Sequence, residues 1–257
     1  MPNSDSLHRQ WFESESFWLD YAPVLFDEER WSEAADVAES VVRLAELKPG
    51  DRILDAGCGP GRIAVELAAI GMKVTGVDLI SAYLEAARES AAAEGVAIEW
   101  IRDDLRRFRR PNAFEAAVSL YTSFGYCRTS KEDFLILNNI ADSLKPGGCL
   151  ILECVSRETA LSQFTPGEEF ERGGFLVKTR FKRTDGNRGL ISQWNIDNGK
   201  IKRSHTFTQR LYSTDELKAF FINRGDFRSI KFFGNWNGAP FDADADTMIL
   251  LAKKSAE

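Results

Sequence analysis

The sequence predicts an α/β fold, a doubly wound sheet with helices on both faces, bearing an N-terminal helical cap and an inserted antiparallel β lid. Three observations carry this. Between residues 50 and 155, short apolar runs alternate with amphipathic segments, the pattern of strands and crossover helices in a parallel sheet. A glycine loop, Gly57-Cys-Gly-Pro-Gly61, separates the first apolar run from the first helical segment. After Val155 the alternation stops and two hairpin signals appear, Asp185-Gly186 and Asn198-Gly199, each flanked by strand-like runs.

Taken in order, residues 1–49 form an aromatic-rich cap. Trp11, Phe12, Phe17, Trp18, Tyr21, Phe26 and Trp31 crowd into it, and a helix from about Glu28 to Leu47 leads to the first strand. These rings are expected to be buried on the sheet, with closure over a ligand as the alternative. The core, 50–155, has strands at Asp51–Ala56, Lys73–Asp78, Ala97–Arg102, Phe114–Leu120 and Cys149–Val155. Between them lie helices Arg62–Ile70, Ala82–Ala93 (capped by Ser81) and Lys131–Leu144, the last closed by Lys145-Pro-Gly-Gly148. Residues 156–211 are the insertion, a lid or a dimer surface. Within it 174–211 reads as three antiparallel strands, since Phe175, Val177, Thr179 and Phe181 alternate with Leu176, Lys178, Arg180 and Lys182. Residues 212–257 complete the core. There Ser213-Thr-Asp-Glu216 is a capping box opening the helix Thr214–Asn223, and strands follow at about Phe227–Phe233 and Thr247–Ala252.

With 257 residues, 44% of them hydrophobic, the chain can bury a large core. A net charge of −6 leaves no basic excess to attract a phosphate backbone, so no nucleic-acid partner is expected. Arg102, Arg106, Arg107, Arg109 and Arg110 do form a basic run. With Asp103 and Asp104 inside it, a solvated loop or a surface salt-bridge network is the expectation, rather than an RNA patch. Cys58, Cys127, Cys149 and Cys154 contain no Cys-x-x-Cys pair and read as reduced thiols of a cytoplasmic protein. No stretch approaches the roughly 18 apolar residues of a membrane span, and no basic-then-apolar leader opens the sequence. Neither a membrane nor secretion is expected.

The chemistry concentrates at Ile53-Leu-Asp-Ala-Gly-Cys-Gly-Pro-Gly-Arg62. Gly57, Gly59 and Gly61 let the backbone turn sharply and approach a ligand, and the following helix aims free N–H groups at the loop. Asp78, ending the second strand, can accept from both hydroxyls of a ribose. Nicotinamide and flavin sites share that logic, but two details differ here. The spacing is Gly-x-Gly-x-Gly, and Asp55 stands two residues before the first glycine. A carboxylate there would repel a pyrophosphate and suits a ligand that offers an ammonium and a sulfonium.

In these residues the chain resembles the class I S-adenosylmethionine-dependent methyltransferases. The resemblance covers most of its length, through LDAGCGPGR (54–62), VTGVD (74–78), IRDDLRRF (101–108), FEAAVSLYTSFGY (114–126) and LKPGG (144–148). It implies a seven-stranded mixed sheet of order 3-2-1-4-5-7-6 with strand seven antiparallel. As cofactor it implies S-adenosyl-L-methionine, leaving S-adenosyl-L-homocysteine, with no metal. Asp55 and Gly57 would hold the methionyl ammonium, with Cys58, Gly59 and Gly61 in the turn beside the cofactor. Asp78 would bind the ribose and Leu79 pack on the adenine. Asp104, in preference to Asp103, would accept from the adenine amino group, and Leu105 offer its N–H. Ser119, Leu120 and Tyr121 would line the cleft beside the methionyl group.

Substrate and catalytic candidates come from the residues that remain. His205, on an inserted strand, is ordinarily a hydrogen-bonded structural histidine; its alternative is a general base. His8 is the only other histidine. Tyr121 and Tyr126 follow the fourth strand at its carboxyl end, where open α/β sheets bind ligands, and are further catalytic candidates. Trp18, Tyr21, Trp194, Asn235 and Trp236 are the substrate candidates. No Asn/Asp-Pro-Pro-Tyr follows the fourth strand, and no Tyr-x-x-x-Lys pair points to a dehydrogenase. In general layout the chain is similar to small-molecule N- and O-methyltransferases, including aminosugar N-methyltransferases with a Ser-x-Gly-Tyr-like stretch. The expected reaction is in-line methyl transfer to an N or O atom of a small molecule, by a monomer or homodimer. A protein or RNA methyltransferase, and a binding protein without turnover, are the alternatives.

Overall fold

The computed structural model of the chain describes residues 10–242 and 244–256, so His8 lies outside the described residues. In chain order it contains α1 (Glu15–Leu25), α2 (Glu28–Ser32), α3 (Ala34–Ala45), β1 (Arg52–Ala56), α4 (Arg62–Ala69), β2 (Lys73–Asp78), α5 (Ser81–Ala93), β3 (Glu99–Arg102) and β4 (Phe114–Ser119). There follow α6 (Ser130–Ser143), β5 (Leu144–Cys154), α7 (Arg157–Ser162), β6 (Glu169–Arg172), β7 (Phe175–Arg183), β8 (Gly189–Asp197), β9 (Lys202–Arg210), α8 (Thr214–Arg224), β10 (Phe227–Phe233) and β11 (Met248–Lys254). Seven strands form one sheet in the order β3-β2-β1-β4-β5-β11-β10, with β11 antiparallel to its neighbours. Counted along the sheet's own strands, that is the expected 3-2-1-4-5-7-6. The other four strands make a separate antiparallel sheet, β6-β7-β8-β9.

Strands buried on both faces read as continuous apolar runs, and β1 shows why. Ile53, Leu54 and Ala56 are fully buried. Ile53 packs with Val37, Val41, Ile63 and Leu67 of α3 and α4, whereas Leu54 and Ala56 face Leu137, Ile140, Leu217 and Phe221 of α6 and α8. The capping boxes Thr129/Glu132 and Ser213/Glu216 start α6 and α8. Ser81, by contrast, does not cap α5. The helix begins at Ser81 itself, and Glu15 of α1 supplies the cap by accepting from the Ala82 N–H at 3.0 Å.

The three antiparallel strands expected within 174–211 are present as β7, β8 and β9, and a fourth, β6, precedes them, pairing Glu169–Arg172 with Phe175–Lys178. One expectation about the added layers needs correction. The aromatic cap packs mainly on the second sheet, with Phe12 against the main core. Phe17, Tyr21 and Val24 of α1 pack on Phe175, Val177 and Ile196 of the second sheet, each burial worth roughly 1.5–3 kcal/mol. The Tyr21 hydroxyl donates to the Trp194 carbonyl at 2.7 Å and accepts from the His205 N–H at 3.1 Å. Cap and insertion therefore form one layer. The predicted helix 28–47 is present but broken at Glu33 into α2 and α3. Among the described residues no helix is long and apolar enough to cross a membrane. The arginine run is a salt-bridge network, with Arg106 on Glu13, Asp104 and Glu132, Arg107 on Asp103, Arg109 on Asp142, and Arg110 on Glu99.

One polar cluster ties the second sheet to the first. The fully buried Asp133 of α6 accepts from the Cys127 N–H at 3.0 Å, Arg210 Nη1 at 2.6 Å and the Tyr212 hydroxyl at 2.8 Å. Removing the carboxylate strands a phenol and an amide and takes the counter-charge from Arg210, which keeps the Cys127 and Arg128 carbonyls. Asp133→Ala is expected to cost about 3 kcal/mol and lower the thermal midpoint by roughly 6–12 °C, read by circular dichroism. A midpoint within 2 °C of wild type would show that this cluster does not hold the layers together.

Candidate active site

The carboxyl ends of β1, β2, β4 and β5 open into one cavity of about 770 Å³. At its floor the glycine loop is held from two directions. The N–H groups of Gly57 and Cys58 both donate to the Val77 carbonyl, at 2.9 and 3.1 Å. Asp78 then receives the Gly59 N–H on Oδ2 and the Ile80 N–H on Oδ1, each at 2.8 Å. Gly57 and Gly59 have φ of 83° and 55°, a region that costs any residue with a Cβ, and both line the cavity. Gly61, at φ 84°, does not line it. A Cβ there would stand 2.8 Å from the Trp100 ring and 2.9 Å from Ala87, so this glycine serves helix packing beneath the loop.

Asp55 and Asp78 both line the cavity. Burial, then the charge of Asp78, push the Asp55 carboxyl up to about 7 against the opposing pull of Arg62. Burial also raises Asp78, although the amides of Ile80, Gly59 and Leu79 favour its ionised form. Two partly desolvated carboxylates in one cavity are a poor match for a pyrophosphate and a good match for a cationic ligand. Leu79, Ile80, Asp103, Asp104 and Leu105 extend the lining along the β2 and β3 ends. Burial alone would raise Asp104, but Arg106 donates to both its oxygens at 3.0 Å and holds it below the usual range. Any partner for Asp104 must share it with that guanidinium.

Beyond the loop the wall is built by Leu120, Tyr121, Thr122 and Glu153. Tyr121 and Thr122 are consecutive non-glycine residues at φ 52° and 64°. Glu153 secures them: its Oε2 accepts the Tyr121 N–H at 2.5 Å and its carbonyl the Thr122 N–H at 3.2 Å. The guanidinium of Arg62, only 4% exposed, lies 4.4 Å from the Tyr121 ring centroid and donates to the Arg30 carbonyl. Phe12, Trp18, Phe26 and Tyr126 form the roof, with Tyr126 set edge-on to Trp11 at 4.7 Å.

Of the sequence-predicted residues, Asp55, Gly57, Cys58, Gly59, Asp78, Leu79, Asp104, Leu105, Leu120, Tyr121, Tyr126, Trp18 and Trp236 line the cavity. Ser119 is buried one residue back on β4. His205 does not line the cavity: its Nε2 sits 3.0 Å from Asp20 of α1, so it ties the second sheet to the cap. Tyr21 and Trp194 belong to the packing between cap and second sheet, and the Asn235 side chain is spent on a turn, accepting from the N–H groups of Asn237 and Ala239. Sequence reasoning missed Arg62, Glu153, Asp246 and Thr247, which all line the cavity. Glu153 was findable, being an acid at the end of a buried strand as Asp55 and Asp78 are.

A family model described as a methyltransferase domain matches residues 53–148. Over 218 residues the chain is 31% identical to the provisionally named methyltransferase YqeM of Bacillus subtilis (strain 168), a match covering 82% of this chain and 87% of that protein. The chain belongs to the class I S-adenosylmethionine-dependent methyltransferases. It spans about half the length of two other curated relatives that it matches, 56% and 41%. Family members share its fold at lower identity. An S-adenosylmethionine-dependent methyltransferase of Clostridium acetobutylicum superposes with a TM-score of 0.75 at 14% identity, over 93% of this chain and 98% of that one. An amino-pentose methyltransferase of Micromonospora echinaspora, solved with S-adenosylmethionine bound, gives 0.66 at 23% identity, over 96% and 100%.

The raised Asp55 makes a prediction about pH. The unfolded chain loses this proton near pH 3.9 and the folded chain only near 7. Between those values the folded state binds more protons, so its stability falls as pH rises. Asp55→Asn is therefore expected to melt several degrees above wild type at pH 7.5, the gap closing as pH is lowered toward 4. A gap that stays constant with pH would clear Asp55 of this strain.

Proposed function

We propose that the chain transfers the methyl group of S-adenosylmethionine to an N or O atom of a small-molecule acceptor. The observation that carries this is a cavity in which Asp55 and Asp78 share one lining with the aromatic roof of Phe12, Trp18, Phe26 and Tyr126. Its volume falls in the usual range for small-molecule sites of about 300–1,000 Å³. The amino-pentose methyltransferase is the structural neighbour that supports a small acceptor.

In this reading Asp55 and Gly57 hold the methionyl ammonium, and the positive charge relieves the mutual repulsion of Asp55 and Asp78. Asp78 takes the ribose hydroxyls, while Leu79, Asp104 and Leu105 surround the adenine. When bound, the cofactor supplies an electrophilic sulfonium methyl group open to in-line displacement. The protein's part is to position the two reactants and to exclude water, for which Phe12, Trp18, Phe26 and Tyr126 provide the roof. Cytoplasmic placement fits the four buried free cysteines.

Thermal unfolding with ligands tests the assignment. S-adenosylmethionine or S-adenosylhomocysteine at about 100 times its dissociation constant is expected to stabilise by roughly 2.7 kcal/mol. That corresponds to a midpoint rise of roughly 5–10 °C. Asp78→Asn, which keeps one acceptor oxygen for the loop, should lose most of that rise. A rise with NADH and none with either sulfur ligand would refute the proposal.

A further inference from the structure

Register sets Glu153 beside the reaction centre of the proposed function. Asp55 on β1 is opposite Val118 on β4, and Ser119 on β4 is opposite Leu152 on β5. Asp55 and Glu153 thus reach the same edge of the sheet, one on each side of the β4 end at Leu120. The carboxylate of Glu153 has two hydrogen-bond donors among the described residues, the Tyr121 N–H at 2.5 Å and the Thr247 hydroxyl at 2.7 Å. Both are uncharged, and no ion pair reaches Glu153 among the described residues. Withdrawal from water raises its pKa.

The charges around it leave room for a cation. Glu33 and Asp36 from the cap, Asp246 from the loop before β11 and Glu153 itself line this half of the cavity, against Arg30 and Arg62. Arg30 pairs with Glu33 at 3.3 Å. Arg62 is committed to the Tyr121 ring and the Arg30 carbonyl. Four carboxylates face two guanidiniums, both of which also act on Glu153, and the remaining surplus of negative charge favours a positively charged guest. The consecutive left-handed residues Tyr121 and Thr122 are held in place by Glu153, and such strain is kept where a site needs it.

We propose that this half of the cavity is the acceptor subsite, that the acceptor presents an amine, and that Glu153 binds the amine as its ammonium and takes its proton. The proposal rests on the glycine-loop half holding the cofactor. One N–H proton of the ammonium passes to the Glu153 carboxylate, leaving a neutral amine. The nitrogen lone pair then forms the N–CH3 bond as the S–CH3 bond breaks, and its electron pair stays on sulfur as the neutral thioether. A carboxylate is suited to this task. A lysine-like ammonium has a pKa of about 10.4, which falls in a water-poor cavity, whereas an alcohol holds its proton far more strongly.

The test uses Glu153→Gln, which keeps an oxygen for the Tyr121 N–H and offers an amide to the Thr247 hydroxyl while removing the charge. Cofactor binding is measured by calorimetry with S-adenosylmethionine on both proteins; its absence from wild type would sink the cofactor reading rather than this one. Turnover is followed as S-adenosylhomocysteine released with a panel of amines, amino sugars included, each matched to the alcohol of the same skeleton. The expected result is turnover of amine members by wild type, and a loss of ~100-fold or more in Glu153→Gln, with S-adenosylmethionine affinity unchanged within threefold. Turnover of the alcohols alone, or of neither set, overturns the proposal. So does amine turnover by Glu153→Gln within threefold of wild type. Should the variant fail to fold, the wild-type choice between amine and alcohol still decides.

Discussion

A parallel sheet covered by helices on both faces leaves its strands one place for charge, their ends. β1, β2, β4 and β5 bury their interiors in two apolar layers, so acids on them stand near the strand ends, Glu115 at the amino edge with Lys145 and three others at the carboxyl edge. Asp55, Asp78 and Glu153 arrive there from three different strands. Each is raised by desolvation, and none is neutralised by an ion pair among the described residues. Their arrangement costs stability in the free protein, because each carboxylate is withdrawn from water without a counter-charge of its own.

The layer above the edge is a composite. The inserted strands would expose an apolar inner face by themselves, and α1 would be a short aromatic helix with nothing to pack on. Together Phe17, Tyr21, Val24, Phe175, Val177 and Ile196 form a core of their own. His205 and Arg203 reinforce it by reaching Asp20. The layer is pinned to the main sheet through Asp133 and Arg210, and through the N–H of Arg210 on the Gly125 carbonyl at 2.7 Å. Gly125 lies within the loop that carries Tyr121 and Tyr126 to the cavity. Roof and wall are in this way one connected structure.

Much of this was legible in the residues. Strand and helix periodicity, capping boxes and the glycine loop are local signals, and β1 to β4, α6 and α8 fall close to where they were expected, while β5 begins five residues early, at Leu144, and takes in Lys145-Pro-Gly-Gly148. The resemblance to class I methyltransferases supplied the sheet order, which periodicity alone does not determine. The misreadings share a cause. Ser81 has the residue type of a cap, yet Glu15, distant in sequence, reaches that helix end first. Glu169–Arg172, charged at three of its four positions, lacks an apolar strand signature and becomes a strand only by pairing with β7.

What the sequence by itself determined is the Rossmann-like core and the floor of the site. Strand, loop and acid there are neighbours along the chain, and their chemistry is written in residue type and spacing. The tertiary structure alone brought the rest of the lining together. Phe12, Arg30, Glu33, Arg62, Glu153 and Asp246 come from the cap, α4, β5 and the loop before β11. No spacing rule relates them. A charged side chain such as Arg62 is ordinarily a surface residue, and only packing beneath Phe26 and Tyr121 turns it into part of a wall. Similarly His205 carries the chemistry of a base, but the direction of β9 and the position of Asp20 turn it away from the cavity.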